Sequence, residues 1–133
     1  MDALKIEQTN TSPFINLNPE LGIYVFAGYS RPENVREFYI PIIDWLINFK
    51  NELIQKKKNG TAQPPVSFDF QFVYFNSASA KFLYDVIIVL NEIQKEKIDL
   101  TIRWHYDEDD DELREAGEEL SELAQVPFKF IQS

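Results

Sequence analysis

The sequence contains no cysteine, and its 133 residues include only four glycines and one histidine. Without cysteine the chain forms no disulfide, performs no thiol catalysis and holds neither a zinc ribbon nor an iron–sulfur cluster. So few glycines argue against a glycine-rich phosphate-binding loop and against a turn-dense β-sandwich. These absences exclude several large classes of enzyme and metal protein.

Positive charge is also scarce. Thirteen basic side chains are outnumbered by 22 acidic ones, which gives a formal net charge of −9. We therefore expect neither nucleic acid nor a membrane as a partner, because both are anionic and attract basic patches. The most apolar stretch, Phe82 to Leu90, is interrupted by Asp85 and is far shorter than the roughly 20 residues of a membrane span. The amino terminus has no signal-peptide pattern, so the expected location is cytoplasmic.

Hydrophobic residues make up 44% of the chain and aromatic residues 14%, the composition of a folded globular domain. The length fits one domain that spans residues 1–133. Apolar periodicity predicts three strands and then three helix–strand pairs, which is typical of an α/β fold with a mixed sheet flanked by about three helices. The predicted strands cover residues 3–8, 14–17, 21–28, 66–75, 98–105 and 127–131, and the helices cover 35–58, about 80–97 and 113–123.

Two of these elements carry finer expectations. The third strand, residues 21–28, has apolar side chains on both faces, which indicates that both faces are covered. Pro41 lies inside the first helix and removes one backbone donor, so we expect a kink or a helix in two pieces.

Ser77 stands between the clearest strand and the second helix. A serine there commonly caps the helix, with its hydroxyl accepting a hydrogen bond from an early backbone amide. The alternative is phosphorylation, because a phosphate here would meet unpaired backbone donors, the positive end of the helix dipole and Lys81 one turn later. Ser79 is a second candidate acceptor by the same reasoning. The residues alone favour the cap and leave the phosphorylation site open.

The acidic run from Asp107 to Glu118 is the second candidate site. Asp107, Asp109 and Asp111 followed by Glu118 copy the ligand spacing of a calcium loop, but Glu112 stands where that loop requires glycine. A metal bound here would suit a small metal-dependent hydrolase. The alternatives are an acidic cap at the start of the third helix and a docking patch for a basic partner.

His105 is the only histidine, and a hydrolytic triad with Ser77 and an acid is conceivable. Ser77 lacks the flanking glycines of a nucleophile elbow, however, so an exposed histidine at a strand end is the simpler interpretation. Trp104, Tyr74 and Phe75 are predicted to lie in the core or on a sheet face.

Three longer stretches form a recognisable pattern over nearly the whole chain. They are Arg31-Pro32-Glu33-Asn34 with Glu37-Phe38-Tyr39 and Asp44-Trp45-Leu46; Tyr74 to Lys81; and Trp104-His105-Tyr106 with the acidic run, Glu115-Ala116-Gly117-Glu118-Glu119 and Pro127-Phe128. Together and in this order they resemble the SiaC family of bacterial regulatory phosphoproteins, whose fold is similar to that of STAS-type anti-sigma-factor antagonists.

The resemblance implies a regulator and not an enzyme, with no cofactor and no metal. It places the family's phosphorylated threonine at Ser77, with Ala78 where the family has serine. A dedicated serine/threonine kinase would add the phosphate, and a PP2C-type phosphatase would remove it. The unmodified form would bind and activate a diguanylate cyclase, which links the switch to cyclic-di-GMP signalling and biofilm formation.

We therefore expect a single STAS-like α/β domain in which phosphorylation at Ser77 controls partner binding. The partner would meet the start of the second helix and its apolar flank around Phe82. A phosphate at the rim of that surface would oppose docking through desolvation and repulsion. A structural adaptor without phosphorylation is the remaining alternative. The expected partner-binding residues are Asn76, Ala78, Ser79, Lys81 and Phe82.

Overall fold

A computed structural model describes all 133 residues and contains six strands and three helices. Their order confirms the α/β fold with a mixed sheet. None of the three helices combines the length and the apolar character needed to cross a membrane. The elements are β1 (Leu4–Ile6), β2 (Phe14–Asn18), β3 (Ile23–Ser30), α1 (Val35–Lys58), β4 (Val66–Phe75), α2 (Ser77–Lys95), β5 (Leu100–Tyr106), α3 (Asp111–Ala124) and β6 (Lys129–Gln132).

The six strands form one sheet in sequence order, with β1, β2 and β3 antiparallel and β3 to β6 parallel. Each right-handed crossover advances one strand in the same direction, so all three helices lie on one face of the sheet. Burial along β4 follows this arrangement. Phe68, Phe70 and Phe72 are buried under the helices, whereas Gln71 on the opposite face is exposed.

The prediction that β3 is covered on both faces is wrong. Tyr24 and Phe26 are buried under the helices, but Ile23 on the other face is 39% exposed and Val25 is only half-buried. Strand order and crossover handedness decide which face the helices cover, and the apolar character of one strand does not report either.

Of the two expectations for Pro41, a helix in two pieces is wrong, because α1 is one helix of 24 residues. It begins after Asn34, whose side chain accepts a hydrogen bond from the Glu37 amide at 3.1 Å. Pro41 has no backbone N–H, so the carbonyl of Glu37, four residues earlier, receives no helical hydrogen bond. Both residues are exposed, so water can satisfy that carbonyl and the helix continues.

The side chain of Trp104 anchors α3 to the sheet. Its ring stacks on Phe128 at 5.8 Å and on Phe70 at 6.0 Å, and its indole N–H donates to the Leu113 carbonyl at 3.1 Å. Gly117 of α3 lies directly against this indole, where a Cβ atom would overlap the ring. The close approach fixes the position of α3 relative to the sheet and to α2.

Candidate functional site

Ser77 is the first residue of α2, but it does not cap the helix. Asn76 is the N-cap, because its side-chain oxygen accepts a hydrogen bond from the Ser79 amide at 2.8 Å. The prediction of a Ser77 cap is therefore wrong. Ser77 is exposed, and none of the side-chain hydrogen bonds involves its hydroxyl. The oxygen is accessible to a modifying enzyme and has no structural role that modification would destroy.

Ser79 has the opposite environment. It is fully buried, and its hydroxyl donates to the Ser30 carbonyl at 2.9 Å. It also accepts from the Ser30 hydroxyl at 2.8 Å. A modifying enzyme cannot reach this oxygen in the folded chain, and a buried phosphate would have no water to solvate it. The geometry therefore favours Ser77 over Ser79 as a phosphate acceptor.

A chain of buried hydroxyls fixes the start of α2. Because the Ser30 hydroxyl gives its one proton to Ser79, the Tyr39 hydroxyl is the donor in its 2.6 Å contact with Ser30. Burial raises the pKa of Tyr39 well above its usual range, so this donor keeps its proton. The Asn76 amide donates to the Ser30 carbonyl at 3.0 Å. These bonds join β3, α1 and α2 beneath Ser77.

A groove of about 660 Å³ lies between α2 and α3 and includes Ser77 at one end. α2 packs closely along α1 but makes few contacts with α3, which leaves this space open. We call it the α2–α3 groove. Leu123 on its α3 side is 68% exposed and adds apolar surface to the groove. The apolar side chains that line the groove are Phe75, Ala80, Tyr84, Ala116, Leu120 and Leu123.

A second, smaller cleft of about 220 Å³ adjoins the groove through Phe75 and Ala116, which line both. It reaches Val73 and Tyr74 at the end of β4, which are 54% and 47% exposed. Tyr74 pairs with Tyr29 in the sheet, which agrees with the expected core or sheet-face position. The register of β4 against β3 shifts just before this pair, between Gly28 and Tyr29. Exposed apolar surface therefore continues on both sides of Ser77.

The structure separates the residues expected to bind a partner. Lys81 is exposed and lines the α2–α3 groove, and Ala78 is exposed outside it. Asn76 is occupied as the cap, and Ser79 lies in the interior. Phe82 is half-buried with its ring stacked on Tyr39 of α1 at 5.9 Å, because it points to the opposite side of α2.

The α3 side of the groove is not visible in the sequence. The spacing of Ala116, Leu120 and Leu123 puts them on one side of a helix, but it does not show that α3 stands apart from α2. The exposure of Leu123 is visible only in three dimensions.

The acidic run forms the start of α3 and not a metal site. Asp110 is the N-cap and accepts a hydrogen bond from the Leu113 amide at 3.0 Å, and Asp111 and Glu112 occupy the first turn. This confirms the acidic cap. Nowhere do three His, Asp or Glu side chains converge in a group that could hold a metal ion.

His105 forms no triad with Ser77. Its Nε2 atom lies 2.7 Å from the Asp69 carboxylate on the neighbouring strand β4, which also lies 3.2 Å from Arg103 Nε. The strand-end position of His105 in β5 is confirmed, but the expected exposure is wrong, because only 17% of its side chain is exposed. Asp69, Arg103 and His105 hold together the face of the sheet opposite the helices, away from Ser77.

Comparison with known proteins identifies the family. The model of the SiaC family of regulatory phosphoproteins matches residues 6–133. The chain belongs to the SiaC family. It is 30% identical to an uncharacterized protein of Pseudomonas aeruginosa strain UCBPP-PA14 over 128 residues, which is 96% of this chain and 94% of that protein.

Solved structures of the family agree with this fold. The chain matches apo-SiaC from Pseudomonas aeruginosa with a TM-score of 0.79 and 28% identity, covering 100% of this chain and 99% of that one. It also matches SiaC in the crystal structure of the diguanylate cyclase SiaD with its activator SiaC, from the same species. That match has a TM-score of 0.81 and 28% identity and covers 98% and 99% of the two chains.

Proposed function

We propose that this protein is a non-enzymatic regulator that binds a diguanylate cyclase while Ser77 is unmodified and releases it when Ser77 is phosphorylated. The observation that carries the proposal is the exposed Ser77 hydroxyl at the end of the apolar α2–α3 groove. Membership of a regulatory phosphoprotein family and the complex of SiaC with SiaD support it. By this proposal the protein acts in the cytoplasm, in signalling through cyclic-di-GMP and in control of biofilm formation. A serine/threonine kinase and a PP2C-type phosphatase set the phosphorylated fraction.

The physical switch is the addition of negative charge to an apolar part of the docking surface. A phosphoserine carries a charge of about −1.5 to −2. A partner seated over Phe75 and the groove would have to strip water from this dianion, which costs several kcal/mol unless a cation compensates. Lys81 is the one basic side chain that lines the groove, and a single exposed cation offsets little of that cost.

The buried hydroxyls beneath Ser77 keep this switch local. Asn76 and Ser79 bond to each other and to Ser30, so the start of α2 holds its shape without any help from the Ser77 oxygen. Phosphorylation therefore alters the surface and leaves the fold intact.

The first test compares Ser77→Asp with Ser77→Ala in calorimetric titrations against the diguanylate cyclase of the same organism. We expect Ala to bind as wild type does and Asp to bind about tenfold more weakly or worse. Thr61→Asp adds the same charge in the exposed loop after α1 and serves as the control, with unchanged affinity expected. Equal affinities for the two Ser77 variants would refute the switch.

The second test separates the proposal from a structural adaptor that is never modified. Protein isolated from native cells is weighed intact by mass spectrometry before and after phosphatase treatment. We expect a fraction heavier by one phosphate that disappears on treatment, with the phosphopeptide assigned to Ser77. Unmodified protein under every growth condition would favour the adaptor.

A further inference from the structure

The acidic residues of the α2–α3 groove are not distributed evenly along it. Ser77, Ala80 and Phe75 line one end, whereas Asp85 of α2 and Glu119 of α3 lie further along. Ser77 and Asp85 are eight residues apart, about 12 Å along the helix axis. This exceeds the screening length of about 8 Å at physiological salt, so in the free protein a charge on Ser77 and the Asp85 carboxylate are largely screened from each other.

Asp85 and Glu119 have no basic partner within the chain. Both are exposed, and neither takes part in any of the protein's ion pairs. Glu118, on the same helix, is already paired with Arg114 at 2.9 Å. The groove therefore presents two unpaired carboxylates and one unpaired lysine, Lys81, beside an apolar floor. Its lining has a net negative charge, which favours a basic ligand over an acidic one.

The shape of the groove favours a helix as the occupant. Its two walls are side chains of α2 and α3, whose backbone groups are already bonded within the helices, so it offers no free edge to an added strand. Ala80 and Ala116 line it with small side chains, which allow the backbone of a helix from the partner to approach closely.

We propose that the α2–α3 groove selects a partner helix whose apolar stripe is flanked by lysine or arginine, with Asp85 and Glu119 as the specificity-determining residues. This rests on the proposed function and adds the chemistry of the partner. The apolar stripe covers Leu123 and Tyr84, and the basic flank meets the two carboxylates. The apolar stripe also covers Phe75 and Ser77, so a phosphate on Ser77 opposes docking even though Asp85 and Glu119 attract positive charge further along the groove.

The test uses two synthetic helical peptides of about 18 residues, each about 27 Å long, that differ only in carrying lysine or glutamate beside the same leucine stripe. Binding is followed by fluorescence anisotropy. We expect the lysine peptide to bind wild type about tenfold more tightly than the glutamate peptide. The double variant Asp85→Lys/Glu119→Lys should reverse that preference. Equal binding of the two peptides, or no binding of either at about 1 mM, would overturn the inference.

A matched control removes the effect of net charge. Glu96→Lys/Glu122→Lys makes the same change in total charge, at the end of α2 and on α3, and neither residue lines the groove or forms an ion pair. We expect this variant to keep the wild-type preference. A reversal as large as that of the groove variant would show that the overall field of the protein, and not the groove, selects the peptide.

The apolar part of the inference has its own control pair. Leu123 and Leu21 are 68% and 67% exposed, so replacing either by serine leaves the core intact. Leu123→Ser should lower the affinity for the lysine peptide severalfold. Leu21→Ser, in the turn between β2 and β3, should leave that affinity unchanged. Equal effects of the two substitutions would contradict binding of the peptide in the groove.

Two further outcomes are decisive. If wild type sediments as a dimer that Leu123→Ser dissociates, a second copy occupies the groove and the inference is wrong. If the peptides show no charge preference while Ser77→Asp still loses the cyclase, the phosphorylation switch stands and only the charge selection falls.

Discussion

At the scale of single residues, the three serine and asparagine positions at the start of α2 have very different roles. The segment from Asn76 to Ser79 contains three residues with side chains suited to capping, so local propensity cannot decide which one caps. The burial of Ser79 and its hydrogen bonds to Ser30 decide the roles of these residues, and Ser30 lies 49 residues earlier in the sequence. The sequence could therefore point to this segment but could not distinguish the exposed hydroxyl from the buried one.

The buried tyrosines make the stability of the protein sensitive to alkali. Burial raises the pKa of Tyr24 to about 12 and that of Tyr39 further still, whereas an unfolded tyrosine titrates near 10. The unfolded chain thus loses protons first as the pH rises, so the free energy of unfolding should fall from about pH 10 upwards. The measurement is urea unfolding at pH 8, 10 and 11.

Tyr39→Phe identifies the contribution of one group to this fall. The variant should be less stable at pH 8 by about 1 kcal/mol, because the Ser30 hydroxyl loses its donor. Its stability should then decline less steeply than that of wild type between pH 10 and 11. If the free energy of unfolding fell as steeply with pH as it does in wild type, the pKa of Tyr39 would not be raised in the folded chain.

At the scale of elements, the strand and helix patterns were readable wherever they were regular. β4 alternates cleanly from Val66 to Phe72, and its prediction is confirmed. The alternation fails at Val73, Tyr74 and Phe75, where the register against β3 shifts. Because a shift in register changes which side chains face outwards, the exposed apolar residues beside Ser77 could not be predicted from spacing.

The contact between α3 and the sheet depends on one glycine. Gly117→Ala would improve helix propensity by up to about 1 kcal/mol. The added methyl group would nevertheless overlap the Trp104 indole, so we expect a net loss of about 1–3 kcal/mol in thermal or urea unfolding. Displacement of α3 should also weaken partner binding, since α3 forms one wall of the groove.

A second substitution tests the cause of that loss. Trp104→Phe makes room beside Gly117, so the double variant should lose less stability than the sum of the two single variants. Strict additivity, or a Gly117→Ala variant more stable than wild type, would contradict the overlap.

At the scale of the whole molecule, the order of elements predicted the α/β class but not the faces of the sheet. Ile23, Val25 and Ala27 look like core residues by composition, yet they lie on the face that no helix covers. The helices cover only one face because the three β–α–β crossovers have the same handedness and each advances to the next strand in the same direction. No local pattern reports that, and for the same reason the space between α2 and α3 could not be foreseen.

The distribution of charge also acts at this scale. Residues 101–133 contain ten acidic and three basic side chains, and α3 carries many of the acids on its exposed side. Most of these charges help to solvate α3, and Asp110 and its neighbours stabilise its start. Asp85 and Glu119 line the α2–α3 groove, where we expect them to select the partner.

The central claim is that a phosphate on Ser77 switches the docking surface off without disturbing the fold. The most direct measurement uses protein prepared with phosphoserine at position 77 and titrates it into the diguanylate cyclase while cyclic-di-GMP formation is followed. We expect unmodified protein to raise the rate of synthesis and the phosphorylated protein to need about tenfold more or to fail, with both forms unfolding at similar urea concentrations. Equal activation by the two forms would contradict the claim.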